Sequence, residues 1–206
     1  METEALIRAL AARAQPVKTV GHPMSRFAVW AAVALVWIAA SVTAVGVRTD
    51  LAAAARAPAF AWSLGAPLLL ALAASLAAFG ASVPGHQGRW WSLMAAAAGG
   101  AWLLLVGGGA LAGDHGPVGA GARCIRNLIA FSLPPGMLLC LMLRRAAPLD
   151  RGTVGMLAAL GVSALAQVGT RFVCHNDGAL HALVWHCSFV LLVGGAGILL
   201  GRALFR

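Results

Sequence analysis

The side chains with the clearest capacity for chemistry are two cysteines, Cys124 and Cys174, which lie in charge-bearing stretches between apolar runs. Thiolates bind soft metal ions and exchange disulfides, so this pair can respond to metals or to oxidants. Histidines, including His115, gather in the same parts of the chain. The candidate metal ligands are Cys124, Cys174, His175, His181 and His186, because thiolate and imidazole groups suit copper, zinc and similar soft ions.

The spacing of these residues leaves their role open. The chain has no C-x-x-C and no ordered Cys/His ligand pattern, so a static disulfide or two unpaired thiols also explain the cysteine pair. The other cysteines, Cys140 and Cys187, lie inside apolar runs, where free cysteine packs as a small apolar residue. His22 and His86 are assigned no role.

The elements that must position these residues are apolar. Hydrophobic residues make up 61% of the 206-residue chain and charged residues 10%, with a mean hydropathy of +0.86. A soluble domain has about 25% charged residues, so this composition excludes that class and indicates a lipid bilayer. The net charge of +9 comes from Lys and Arg between the apolar runs, where they act as topology signals. We therefore predict no direct binding of nucleic acid.

Six stretches without Asp, Glu, Lys or Arg predict six membrane-spanning helices, each near the roughly 20 residues that a bilayer requires. The predicted spans cover residues 27–47, 59–83, 91–112, 127–143, 153–170 and 182–201. They are rich in Ala and Leu and lack the alternation of strands, and lipid admits only helices or closed barrels. The predicted fold class is an all-α polytopic bundle of six transmembrane helices.

The distribution of basic residues predicts the orientation. Twice as many Lys and Arg residues lie at the side of the two termini as in the first, third and fifth loops. By the positive-inside rule, both termini are cytoplasmic, and Cys124 and Cys174 face outward. In a bacterial inner membrane, that side is oxidising. A cleaved signal peptide is a poorer interpretation, because the first apolar run is too long and about 26 mixed residues precede it.

Several residues inside the predicted spans are expected to shape the bundle. Pro67 and the pair Pro134-Pro135 remove backbone donors and predict kinks, and Ser132 can help to satisfy a freed group. The tryptophans are expected to anchor the bilayer interfaces or to pack between helices. The spacing of Gly197 and Gly201 permits close approach of helices.

The N-terminal segment is a second candidate for binding. It is predicted to form an amphipathic helix that ends at Pro16, and a helix of about twelve residues needs a surface to be stable. The predicted partner-binding residues are Leu6, Ile7, Arg8, Leu10 and Arg13. The surface is either the lipid bilayer or a groove on a partner protein.

The second half of the chain resembles the NrsF-type six-helix membrane anti-sigma factors. The residues that carry the resemblance are Cys124, Ser132-Leu133-Pro134-Pro135, Arg144-Arg145-Ala146-Ala147-Pro148, Gly152, Cys174, Asp177, Trp185 and His186, together with Leu6-Ile7, Pro16-Val17 and Thr49-Asp50. The resemblance implies a multi-pass protein of the bacterial inner membrane that sequesters an extracytoplasmic-function sigma factor. Residues 1–26 are then the cytoplasmic sigma-binding segment, 27–201 the membrane domain and 202–206 a short cytoplasmic tail.

The resemblance also implies that two periplasm-facing cysteines control release under metal or oxidative stress. By position these are Cys124 and Cys174, with a soft metal ion of the copper or zinc class as one signal. The order Cys174-His175-Asn176-Asp177 departs from the family, where His is expected before Cys. The basic loop at residues 144–151 is a further candidate contact for the sigma factor.

Two other classes compete with a non-enzymatic regulator. A quinone-linked membrane thiol-disulfide oxidoreductase would also use a cysteine pair, but such enzymes typically carry C-x-x-C. A metal exporter would need ionisable groups along a path through the membrane, and the predicted spans contain none with a charge. Motifs of nucleotide-binding proteins, zinc proteases and serine hydrolases are absent from the sequence.

Overall fold

The computed structural model describes residues 3–13, 20–83, 89–113, 118–119, 121–146 and 148–205. Within these ranges the chain is helical and contains no strand. The helices are α1 (Thr3–Ala12), α2 (Pro23–Val45), α3 (Leu51–Ala54), α4 (Pro58–Ala81), α5 (Arg89–Leu111), α6 (Ala122–Arg144), α7 (Arg151–Arg171), α8 (Ala179–His181) and α9 (Ser188–Leu204). A π-helical segment, Ala182–Cys187, joins α8 to α9 without a break.

Six helices in the described part of the chain are long and apolar enough to cross a membrane, which confirms the predicted number. They are α2, α4, α5, α6, α7 and the continuous Ala179–Leu204. The largest difference in bounds is at α6, which begins at Ala122 rather than at residue 127 and so includes Arg123 and Arg126. Arginine is a good helix former and can extend its head group to the interface, so its charge does not end the helix.

Helices α4 and α7 form the centre of the bundle. In the most apolar 18-residue stretch of each helix, 67% of the residues are buried in α7 and 61% in α4, compared with 17% in α5. Helix α7 packs against α4, α6 and α9. The outer helices expose large apolar side chains such as Leu104 and Leu111. This pattern, apolar both inside and outside, suits a helix bundle in lipid.

Glycines bring α7 and α9 into backbone contact. A Cβ built on Gly155 would lie 2.2 Å from the carbonyl oxygen of Gly197 and 2.6 Å from the Cα of Gly201. The small residues at 197 and 201 therefore do what their spacing predicted, and they do so against α7. Close approach of this kind favours helix association in lipid, where the hydrophobic effect does not distinguish helices from lipid tails.

Two tryptophans of α2 bind the proline-containing part of α6. Because Pro134 has no N–H, the carbonyl of Ala130 loses its helical donor, and the indole Nε1 of Trp37 donates to that carbonyl at 3.3 Å. Trp30, which is buried, donates to the carbonyl of Pro135 at 3.0 Å. The predicted helper, Ser132, bonds instead to the carbonyls of Leu128 and Ile129.

The two ends of the bundle are held by different polar contacts. At the start of α2, Arg26 donates to the Ser82 hydroxyl and to the carbonyl of Met142. The start of α2 and the ends of α4 and α6 therefore meet there. Beyond the far end of α2, the backbone N–H of Arg48 donates to the Phe172 carbonyl, 2.8 Å away. A 23-residue helix is about 34 Å long, which sets the distance between these two ends.

The predicted N-terminal helix is present as α1, and every residue of it is exposed. The apolar stripe lies open, with Leu6 42%, Ile7 56% and Leu10 62% exposed. Its predicted end at Pro16 lies outside the described residues. The start of α2 is capped by His22, whose Nδ1 accepts from the Met24 N–H. At the other terminus α9 continues to Leu204, so Arg202 belongs to the last helical turn.

Candidate functional site

The structure brings Cys124 and Cys174 together. Cys124 lies in the first turn of α6, and Cys174 lies in the loop between α7 and α8. Their sulfur atoms are 3.5 Å apart, too far for the bond of about 2.05 Å in a disulfide, and both thiols are free. Both residues are buried. Two sulfurs separated by 50 positions in the chain thus share one protected pocket.

Two histidines complete a compact group with these cysteines. Nε2 of His181 lies 3.5 Å from the Cys124 sulfur and 3.7 Å from the Cys174 sulfur. The ring centroids of His181 and His186 are 5.2 Å apart. All four residues are buried, and one ligand atom from each lies within 4.8 Å of the others. We call these four residues the Cys/His cluster.

The π-helical segment explains why His181 and His186 share a face. Residues five positions apart in an α-helix differ by about 140° around its axis, so the sequence spacing alone would separate them. In a π-helix the i→i+5 hydrogen bond places such residues on neighbouring turns. The segment Ala182–Cys187 covers the stretch between the two rings. Short π segments of this kind occur frequently at functional sites.

Groups around the Cys/His cluster orient its histidines. Nδ1 of His181 bonds to the carbonyl of Val118, and because a carbonyl only accepts, Nδ1 carries the proton and Nε2 keeps its lone pair. Trp185 Nε1 donates to the same carbonyl at 3.2 Å. The Trp185 ring occupies the space beside Gly121, where a Cβ would come within 1.9 Å of it. His186 is 1% exposed, and apart from the Cys174 thiol close to its ring, neither of its nitrogens has a hydrogen-bond partner among the described residues.

An ion-pair network fixes the loop that carries Cys174. The buried guanidinium of Arg48 donates to both oxygens of Asp50, at 2.7 and 2.8 Å, and to both oxygens of Asp177, at 2.8 and 2.7 Å. Arg171 adds a third ion pair, its Nη2 donating to Asp177 at 2.6 Å. The loop after α2 and the loop after α7 are thereby joined three residues from Cys174.

These contacts shift the protonation equilibria of the network. Hydrogen bonds from Arg48 lower the pKa of Asp50 to about 2. Burial raises the pKa of Asp177, but the bonds from Arg48 and the charge of Arg171 outweigh it and leave that pKa below its ordinary value. The two carboxylates in turn raise the pKa of Arg48. The network is therefore fully charged at neutral pH.

The remaining candidates lie apart from the cluster. His175 is exposed, and the structure does not bring it into the group, although it follows Cys174 directly. His115 lies outside the described residues. Cys187 is buried beside His186 in the chain, and Cys140 is half-buried on α6, both free thiols outside the cluster. The predicted ligands that do meet are Cys124, Cys174, His181 and His186.

Sequence reasoning missed the positioning role of Arg48 and Arg171, which entered only as topology charges. A signal was available, because the chain has only six acidic residues and two of them, Asp50 and Asp177, sit in loops predicted to face the same side. Because the chain has so few carboxylates, a carboxylate that lies a few residues from an arginine in the same loop is a strong indication of an ion pair. Nothing in the sequence indicated that His181 and Trp185 would both bond to the Val118 carbonyl.

A family model described as "NrsF: Negative regulator of sigma F" matches residues 10–206. The chain belongs to the NrsF family. The match includes the whole Cys/His cluster and all six apolar helices, whereas Leu6, Ile7 and Arg8 precede it. No curated protein matches the chain. No solved structure matches it either.

Family membership makes this chain a negative regulator of a sigma factor, with a sigma factor as its partner. Its six apolar helices suit a multi-pass protein in a lipid bilayer. A regulator family also favours a non-enzymatic role over thiol-disulfide catalysis.

Proposed function

We propose that this protein is an anti-sigma factor that holds an extracytoplasmic-function sigma factor at the bacterial inner membrane and releases it when Cys124 and Cys174 react. The observation that carries this proposal is the separation of two features on one bundle. The buried thiol pair lies at one end, and the exposed helix α1 precedes the other end. A signal received on one side can in this way control a partner on the other.

The proposed orientation places both termini in the cytoplasm and the Cys/His cluster in the periplasm. The excess of Lys and Arg at the end that includes Arg26, Arg144 and Arg145 supports it through the positive-inside rule. The periplasm is oxidising and receives metals from outside the cell, so thiols there meet both kinds of signal. The sigma factor stays in the cytoplasm, where its polymerase is.

Helix α1 is the proposed binding segment for the sigma factor. Leu6, Ile7 and Leu10 lie within about 100° of arc, a stripe that suits a hydrophobic groove. Arg8 and Arg13 add positive charge for acidic residues on the partner. All five side chains are exposed, so the surface is open for a partner. The basic loop at residues 144–151 lies at the same end and provides a second contact.

Reaction at the cysteines must favour one arrangement of the helices over another, because a ligand shifts an equilibrium only through different affinity for its states. Cys124 belongs to α6, and Cys174 follows α7, so any bond that joins their sulfurs changes the position of one helix against the other. Oxidation to a disulfide draws the sulfurs about 1.5 Å closer, whereas a bridging soft metal ion leaves them near their present 3.5 Å and fixes α6 against the loop after α7. Either change alters the bundle that carries α1.

Charge substitutions in α1 test the sigma-binding role. We expect the double variant Leu6→Glu/Leu10→Glu to lose the sigma factor in co-purification from membranes and to leave the sigma regulon constitutively active. The matched control is Ala5→Glu/Ala12→Glu, which adds the same charge to the same helix on the opposite side of the apolar stripe. The proposal fails if the two double variants repress equally well.

Single exposed cysteines test the orientation. In a Cys124→Ser/Cys174→Ser background, His175→Cys and Arg145→Cys place an exposed thiol at opposite ends of the bundle. We expect a membrane-impermeant thiol reagent added to intact spheroplasts to label the first and to spare the second until the membrane is opened. The reverse pattern would place the Cys/His cluster in the cytoplasm and refute periplasmic sensing.

A further inference from the structure

We propose, resting on the function proposed above, that Cys124, Cys174, His181 and His186 together form one tetrahedral binding site for a divalent ion of the zinc class, such as Zn²⁺ or Cd²⁺. The site binds through two thiolates and two imidazoles. The two histidines are then ligands in their own right, and His175 is not one. Four arguments from the structure support this assignment.

The distances already match a tetrahedral ion. Zn–S bonds of about 2.3 Å and Zn–N bonds of about 2.0–2.1 Å give S–S edges of about 3.8 Å and S–N edges of about 3.6 Å. The Cys124 and Cys174 sulfurs are 3.5 Å apart, and Nε2 of His181 lies 3.5 and 3.7 Å from them. Three of the four ligand atoms thus need shifts of only a few tenths of an ångström.

The neutral ring of His181 has the tautomer that a metal ion requires. Its Nδ1–H is occupied by the Val118 carbonyl, so the lone pair of Nε2 points toward the two sulfurs. Metal-binding histidines usually donate their second N–H to a carbonyl or carboxylate in this way. Trp185 donates to the same carbonyl and helps to keep it in place. The Val118 carbonyl therefore orients the His181 ring toward the proposed ion.

His186 supplies the argument that distinguishes a metal site from a disulfide. The ring is 1% exposed, and apart from the Cys174 thiol close to it, neither nitrogen has a hydrogen-bond partner among the described residues. A buried polar group without a partner destabilises a fold. A disulfide between the cysteines would leave both nitrogens unpaired, whereas a metal ion binds one of them directly. Its position within 4.8 Å of the other ligand atoms makes that bond reachable.

The charges of the assembled site also balance. Binding of M²⁺ converts two thiols to thiolates and releases two protons to solvent, so the buried centre of ion and ligands has no net charge. A neutral centre avoids the cost of burying an isolated thiolate. The π-helical segment holds the two histidines on one face, and the network of Arg48 and Asp177 holds the loop of Cys174, so little has to be ordered when the ion enters.

Metal titration of the purified, reduced full-length protein in detergent tests the site. We expect one Zn²⁺ per chain, two protons released per ion, and with Co²⁺ as a probe the intense visible bands of a tetrahedral sulfur-nitrogen centre. Stoichiometry near zero, or a cobalt spectrum of octahedral type, would overturn the proposal. These measurements on the unmodified chain do not depend on any variant being folded.

Histidine variants then locate the ligands. We expect His186→Asn and His181→Asn to weaken Zn²⁺ binding more than about 100-fold, since loss of a group that only hydrogen-bonds to a ligand already costs about 10–100-fold. His175→Asn, at an exposed neighbour of Cys174, is the matched control and should bind as the unmodified chain does. Gel filtration and thermal melting of each apo-protein identify variants that fail to fold.

Three results would overturn the four-ligand site. They are unchanged Zn²⁺ affinity in folded His186→Asn, equal loss in His175→Asn, and binding of Cu⁺ alone through the cysteines with both histidines dispensable. Sigma binding is measured separately by co-purification. A chain that retains its sigma factor but binds no metal refutes only this site, and one that binds metal but no sigma factor refutes only the proposed function.

Discussion

Adding one methyl group where α7 crosses α9 should separate the two helices and destabilise the bundle. In Gly155→Ala the new Cβ would lie 2.2 Å from the Gly197 carbonyl oxygen and 2.6 Å from the Gly201 Cα. Both atoms belong to backbone, so no side chain can rotate away. Contacts under about 3.0 Å essentially do not occur, and the helices must therefore move apart by about 0.8 Å.

The matched control is Gly195→Ala in α9, because nothing lies within 4 Å of its added Cβ. Both variants replace a helical glycine by alanine and gain about 0.5–1 kcal/mol of helix propensity. That gain cancels in the comparison. The difference between the two variants isolates the steric cost, which for an overpacked interior is about 1–3 kcal/mol.

Reversible unfolding in mixed micelles, followed by circular dichroism, measures this difference. We expect Gly155→Ala to unfold at lower denaturant than the unmodified chain and Gly195→Ala to unfold at the same or higher denaturant. A second crossing variant, Gly201→Ala, should resemble Gly155→Ala, since its Cβ would meet the Arg151 carbonyl at 2.2 Å. Equal stability of the crossing and control variants would refute the backbone contact.

Three further predictions concern the Cys/His cluster and the network beside it. Arg48→Lys keeps the charge but loses the paired bonds to both carboxylates. We expect thermal melting to show a stability about 1–2 kcal/mol lower. Breaking a fully buried ion pair costs about 3–5 kcal/mol, and the expected loss is smaller because the Asp177 side chain is 48% exposed. Unchanged melting would refute a bracing role. Because Arg48 and Arg171 lower the pKa of Asp177, the stability from this carboxylate is present at neutral pH and is lost as pH falls below the ordinary carboxyl range. Asp177→Asn should flatten the acid side of the melting profile, and a parallel profile would contradict this. Cys124→Ser/Cys174→Ser should leave the sigma regulon repressed under Zn²⁺, Cd²⁺ or oxidant in a reporter strain, whereas Cys140→Ser should respond normally; an inducible double variant would rule out sensing by this pair.

Much of the helical framework could be predicted from composition. A bilayer requires runs of about 20 apolar residues with satisfied backbones, so uninterrupted runs translate directly into helices. The bounds were less predictable because charge ended each predicted span, while α6 continues through Arg126 and Arg123 to Ala122. A charged side chain does not disturb the backbone hydrogen bonds of a helix when its head group can reach the membrane–water interface.

The candidate site could be predicted only in part. Two cysteines in loops on the same side made their meeting reasonable, and the sulfurs do meet. The alignment of His181 with His186 could not be predicted, since a spacing of five opposes it in an α-helix and only the local π geometry permits it. The same holds for Trp37 and the Ala130 carbonyl, because the partner of a carbonyl freed by proline depends on which helix lies beside it.

By itself, the amino-acid sequence determined that the chain is a helical membrane protein with six spans and an amphipathic N-terminal helix, whereas Cys124, predicted in a loop, lies in the first turn of α6. These properties follow from local composition and from the cost of leaving polar backbone groups unpaired in lipid. Only the tertiary structure decided which side chains meet. The pairing of Arg48 with Asp177, the exclusion of His175 and the inclusion of His186 depend on how separate helices pack, and packing joins residues through distances that no local pattern records.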